Sequence, residues 1–291
     1  MRVVDRTRSA VLDDELAGLD ALELPRASRQ ARRVWSAAWP KLAAVALALA
    51  LWQLVVLSGW KPEYVLPGPL PVFSMLLSDL RDGTLLVAAG ITMSRALTGF
   101  AVAVLIGSAI GSAVAMVPLL RVAVGSLLTG LQTMPSIAWF PLAILLFKLS
   151  EQTILFVVVL GAAPAIANGL VSGVDEIPPL YLRAGRVLGA RGLTLYRHVM
   201  LPAILPAFVG GLKQGWAFAW RSLMAGELLV ILANRPSIGV QLQVAREFSN
   251  ARGLLASMIV ILVIGIVVDT VFFGTVERSL RRRWGLVDAA A

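Results

Sequence analysis

Four long stretches of this chain carry no charged residue at all: Leu42–Trp60, Ala96–Leu120, Val122–Phe147 and Thr153–Val174. A helix that crosses a bilayer needs about 20 mostly apolar residues, and each stretch reaches that length. Two further stretches are long enough but interrupted. Val199–Pro236 holds Lys213, Arg221, Glu227 and Arg235, and Gly253–Val276 holds only Asp269. Six spans follow. Because a helix satisfies its own backbone hydrogen bonds where water is absent, the expected fold is an all-α membrane bundle of six transmembrane helices. Only 15% of the residues are charged, against roughly a quarter in soluble domains, which agrees with that reading.

The same inventory excludes several chemistries. There is no cysteine and one histidine, His198, so neither a metal cluster nor a thiol nucleophile is expected, and no catalytic residue is assigned. Asp269 is the only aspartate inside a span, too few for an intramembrane aspartyl site. The net charge of +9 does not point to nucleic acid, because the basic residues follow membrane topology. With an even number of spans, 17 Lys/Arg fall on the side that holds both termini and seven on the other. The protein is therefore expected to be a multi-pass inner-membrane protein with both termini cytoplasmic.

Residues 1–40 read as a polar cytoplasmic tail, 41–285 as the transmembrane domain, and 286–291 as a short C-terminal tail. The prolines of Leu66-Pro67-Gly68-Pro69-Leu70-Pro71 make an external turn, and Val72 to Leu80 reads as a short interfacial helix. The arginines at 278 and 281–283 suit either a stop-transfer flank or a contact with lipid headgroups.

One cytoplasmic connection is long, the loop 175–202. It opens Asp175-Glu176-Ile177-Pro178-Pro179, acids then prolines, a favourable helix start, and Gly189 is a natural C-cap. The helix between them is too short to span. It carries Leu180, Val187 and Leu188 beside Arg183 and Arg186, an amphipathic pattern suited to docking in another protein's groove. A second short helix, Leu193–Met200, leads to Pro202.

The spacing Arg183-Ala184-Gly185, three residues, Gly189, nine residues, Val199-Met200-Leu201-Pro202 resembles the loop motif of binding-protein-dependent ABC importer permeases. That motif reads Glu-Ala-Ala, three residues, Gly, nine residues, Ile, one residue, Leu-Pro. Arg183 stands where the family has glutamate. The resemblance runs over roughly 64–285. Leu66-Pro67-x-Pro69, Ser94-Arg95 with Gly99-Phe100, Pro135-Ser136 with Pro141-Leu142, and Ala219-Trp220-Arg221 with Glu227 look like the aliphatic sulfonate, taurine and nitrate subgroup. It implies a type I importer-like bundle with no enzymatic activity of its own. Two ATPase subunits would bind ATP and magnesium, a second and identical permease copy would complete the path, and a solute-binding protein would deliver a small anion from outside. ATPase coupling would fall to Tyr181, Leu182, Arg183, Ala184, Gly185, Arg186, Leu188, Gly189, Ala190, Leu201 and Pro202. A vitamin or thiamine-precursor importer, and an ion-coupled secondary transporter, remain open as alternatives.

Charges inside spans are functional candidates because they are costly there. Arg221, with Trp216 and Trp220 on one helix face, reads as the lining of an anion pathway, and Glu227 as a second pathway residue. The competing reading makes Arg221 structural, bonding backbone carbonyls or pairing with Asp269. Span 3 adds Gln132, Ser136 and Trp139 beside Pro135 and Pro141, either a gate or a packing kink. Asn168 beside Pro164 in span 4 is a fainter pathway candidate. Gly107, Gly111 and Ser112 make a small-residue face for close helix packing.

Overall fold

The computed structural model describes residues 26–232 and 234–283, all helix and connecting loop, with no strand among them. The expected tails therefore lie largely outside the described residues at 1–25 and 284–291. Two compact units divide at Pro69 and Leu70. The first contains α1, Arg26–Leu57, which is already helical well before residue 41 and runs through Pro40. The tail boundary expected at residue 40 thus falls inside a helix. Its apolar half, Trp39–Leu57, is long enough to span. Beyond it, Trp52 Nε1 donates to the Pro67 carbonyl at 3.2 Å, which folds the proline-rich turn back along the helix.

The second unit opens at Leu70, one residue into α2, Pro69–Arg81, the short helix expected near Val72–Leu80. Then come α3 (Thr84–Met116) and α4 (Pro118–Thr133), followed by a 3₁₀ turn at Ser136–Trp139 that runs into α5, Phe140–Phe147. Next are α6 (Glu151–Asp175), α7 (Pro179–Val187) and the short α8 (Leu193–Leu195) with a π turn at Tyr196–Met200. The chain closes with α9 (Leu201–Leu229), α10 (Ile238–Glu247), α11 (Ala251–Val267), a π turn at Val268–Phe273 and α12, Gly274–Arg283. Five helical segments are long and apolar enough to cross a membrane, and α4 with Ser136–Phe147 makes the sixth as a broken span.

That sixth span departs from the straight helix its uncharged sequence suggests: its halves meet at 103°. Pro135 has no N–H to give the helix, and the residue before a proline is pushed towards extended backbone. Met134 accordingly sits at φ −76°, ψ 127°. The kink foreseen from two prolines is a full break at the first of them, while Pro141 is absorbed in the first turn of α5.

The core is built on α6, half of whose most apolar window is buried. Glycine lets α3 and α9 approach it. A Cβ at Gly107 would lie 2.6 Å from the Ala163 carbonyl oxygen, and one at Gly211 would lie 2.7 Å from the Gly169 Cα. Any side chain there would force the helices apart, so Gly107 and Gly111 serve the close packing their spacing suggests. Around this contact Phe140, Ile154, Ile166 and Leu223 fill the interior.

Candidate functional site

Three constellations emerge: an amphipathic helix at one end of the second unit, a cavity at the break in the third span, and a buried ion network at the opposite end.

The amphipathic helix is α7. Pro178 precedes it and Pro179 occupies its first turn, where a missing N–H costs nothing. Its end is closed by Gly189, at φ +86°. The Ala190 N–H donates to the Gly185 carbonyl at 2.9 Å and the Gly189 N–H to Arg186 at 3.1 Å, the bonding of a Schellman cap. One face rests on the protein: a Cβ at Gly185 would lie 2.8 Å from the Leu195 side chain and 3.0 Å from that of Val199. The other face is bare, with Leu180, Tyr181, Val187 and Leu188 exposed between 51% and 86%. Arg183, Ala184 and Arg186 are also exposed, whereas Leu182 and Ala190 are half-buried. Leu201 and Pro202 open α9. Pro202 cannot donate and crowds the carbonyl four residues back, and the chain widens there into the π turn, with the Leu201 N–H donating to Tyr196.

The cavity, about 330 Å³, lies where Leu131–Ile137 turns between α4 and α5, opposite Gly161, Phe218 and Arg221. It brings Gln132 and Ser136, four residues apart, together with Arg221 from a distant helix. Gln132 Nε2 reaches the Pro164 carbonyl at 3.4 Å. Arg221 is held from behind: its Nε donates to the Ala217 carbonyl at 3.1 Å and its guanidinium carbon lies 4.6 Å from the centre of the Phe218 ring. No acid among the described residues pairs with it, and Asp269 is instead 3.4 Å from Lys213, which also approaches Glu277 at 3.5 Å. A guanidinium held through Nε beside a cavity it lines still has its terminal N–H groups to offer two oxygens of a flat or tetrahedral anion.

The other pathway candidates are not at this cavity. Trp216 and Trp220 do share a face, but it is the core face. They are 5% and 9% exposed, and their rings stack with centroids 6.3 Å apart. Successive helix residues diverge by about 100°, so Trp220 points inward where Arg221 points out. Trp139 packs on the core cluster. Asn168 is half-buried and does not line the cavity.

Glu227 differs most from expectation. It is fully buried, and Arg95 Nη1 donates to it at 2.9 Å. Thr92 Oγ1 at 3.0 Å and the Gly239 N–H at 3.0 Å complete its shell. The same guanidinium takes both oxygens of Glu151, through Nε at 2.8 Å and Nη2 at 2.7 Å. One arginine thereby ties α3 to the start of α6 and the end of α9, while Glu227 and Thr92 take the N–H groups of Gly239 and Ile238 at the start of α10. Sequence reasoning missed Arg95, which tallies there as an outer-side cation. The available signal was Glu227 itself, since a carboxylate buried in a span requires a cation and Arg95 stands near the matching end of its own span.

Residues 103–283 match the family of binding-protein-dependent transport system inner membrane components. The chain is 28% identical over 244 residues to a taurine transport system permease protein of Escherichia coli, covering 82% of this chain and 86% of that one. It is 27% identical over 235 residues to a putative aliphatic sulfonates transport permease protein of Bacillus subtilis, covering 81% and 84%. Among solved structures, an inward-facing MetNI methionine ABC transporter chain superposes with a TM-score of 0.57 at 18% identity, covering 67% of this chain and 95% of that one.

Proposed function

This chain belongs to the family of binding-protein-dependent transport inner membrane components, and on that premise we propose that it translocates a small anion, with aliphatic sulfonate first and taurine or nitrate next. It is an ABC importer permease subunit and a transport component rather than an enzyme. The observation that carries the anionic substrate is Arg221, anchored by Ala217 and Phe218 at a cavity and without an acidic partner among the described residues. The names of the taurine and sulfonate relatives support the same class of solute.

In this reading α7 is the surface on which a partner ATPase acts. A short helix closed by its own cap, presenting Leu180, Tyr181, Val187 and Leu188 to solvent, is what a groove on another protein would cover. Two ATPase subunits bind ATP and magnesium, and a second copy of this chain encloses the path. Both termini face the cytoplasm by the distribution of Lys and Arg, and a solute-binding protein delivers the anion at the end carrying α2 and α10. Movement of α7 is passed through Gly185, Leu195 and Val199 to the π turn and so to α9, which carries Arg221.

The test is solute uptake and basal ATPase activity of the complex reconstituted with Arg221→Leu and Arg221→Lys. We expect the leucine variant to lose uptake by about a hundred-fold, the weight of a lost charged hydrogen-bond pair, while ATPase activity persists, and lysine to restore part of it. Full uptake with Arg221→Leu removes Arg221 from the path.

A further inference from the structure

We propose that the protein holds an anionic phospholipid in the apolar cavity behind the α7–α9 connection, and that this lipid sets how firmly α7 is coupled to the bundle. The cavity measures about 590 Å³ and opens at the end of the unit that carries α7. Its walls are Ala115 and Met116 at the end of α3, Leu170 and Val174 on α6, and Leu193, Met200 and Ile204 on the far side. Ser112, Gly192 and Tyr196 complete it, so nearly the whole lining is hydrocarbon. So apolar a lining gives water few hydrogen-bonding partners. An acyl chain is the bilayer's own solvent for it.

The rim names the headgroup. Arg121 lies beside the cavity wall, its Nη2 3.4 Å from the carbonyl of Ala115, itself a wall residue. Its Nη1 pairs with Asp175 at 2.7 Å, one residue beyond Val174. Both side chains are 40% or more exposed, so a phosphate diester can compete with Asp175 for the guanidinium. Arg191 and Arg197 are exposed and flank the wall residues Gly192 and Tyr196 in sequence. Basic pockets between spans on the cytoplasmic side are where anionic headgroups are held. The orientation used here is that of the proposed function.

The position gives the lipid a mechanical role. One wall is Gly192, at φ +51°, together with the π turn at Tyr196–Met200, against which the Gly185 face of α7 rests. The opposite wall is the ends of α3 and α6. A chain wedged between them resists sliding of the connection against the bundle, adding stiffness to the direct contact of Gly185 with Leu195 and Val199.

Native mass spectrometry on the chain, with and without its ATPase partner, in phosphatidylcholine nanodiscs doped with phosphatidylglycerol reads retained lipid directly. Wild type is expected to retain phosphatidylglycerol over phosphatidylcholine. Ala115→Phe and Ser112→Phe, which fill the hollow from one wall, should cut that retention by about ten-fold, the scale of losing a few buried methylenes. Arg121→Gln should keep a lipid but lose the headgroup preference. Retention in both filled variants equal to that of wild type, or no headgroup preference in the wild type, overturns the proposal. Absence of a co-purifying ATPase would count against the importer reading while leaving lipid retention by the chain alone still measurable.

Discussion

Arg95 offers the sharpest energetic test. Replacing it with methionine keeps the volume of the stem and removes the guanidinium. Glu227, fully buried, then retains only two neutral donors, Thr92 Oγ1 and the Gly239 N–H. Glu151 also loses its two bonds to Arg95, but it is 32% exposed and keeps Arg235 at 3.8 Å, so water and that guanidinium can replace them. The cost is therefore dominated by one uncompensated buried carboxylate, about 3–5 kcal/mol. Adding Glu227→Gln removes that charge while preserving shape. The double variant should then fall short of wild type by only about 1–2 kcal/mol, the loss of ordinary hydrogen bonds. The assay is reversible denaturant unfolding in mixed micelles, read as a double-mutant cycle over the four proteins. A double variant no more stable than Arg95→Met, or a single variant within about 1 kcal/mol of wild type, refutes the argument that burial of the Glu227 charge decides the cost.

Two further outcomes are expected. Gly189→Val places a branched residue at φ +86°, where left-handed backbone costs about 1–2 kcal/mol or more. The variant should co-purify poorly with the ATPase or hydrolyse ATP without uptake, and Gly189→Asn should be milder. Asp79, on α2 outside the spans, has its pKa raised first by burial and then by Asp82. A carboxyl raised on folding weakens the fold above its folded pKa, and that penalty disappears as pH falls through it. Asp79→Asn should thus melt slightly above wild type at neutral pH, with the gap closing in acid; a gap that widens in acid contradicts the sign.

Much was legible because apolar length and breaker residues act locally. The six apolar stretches, the short helix near Val72, the cap at Gly189 and the short helix before Pro202 each follow from residues within a few positions of one another. The break at Pro135 was visible as a kink but not as a 103° turn, since its angle depends on what each half packs against. Among the pathway candidates, Gln132, Ser136 and Arg221 meet at one cavity, while Trp216, Trp220 and Glu227 turn inward. Helical periodicity shows which residues share a face. It does not say which face meets the core.

From the chain alone came the class of the molecule: how many segments can live in a bilayer, which connection is built to meet a partner, and that no metal or thiol chemistry was to be expected. Only the folded bundle decided that Arg95 neutralises Glu227 across 132 positions and that Lys213 takes the acid first offered to Arg221. The reason is that hydrophobic length is a property of neighbours along the chain. The pairing of a buried charge is set by whichever opposite charge the packing of separate helices brings within about 4 Å.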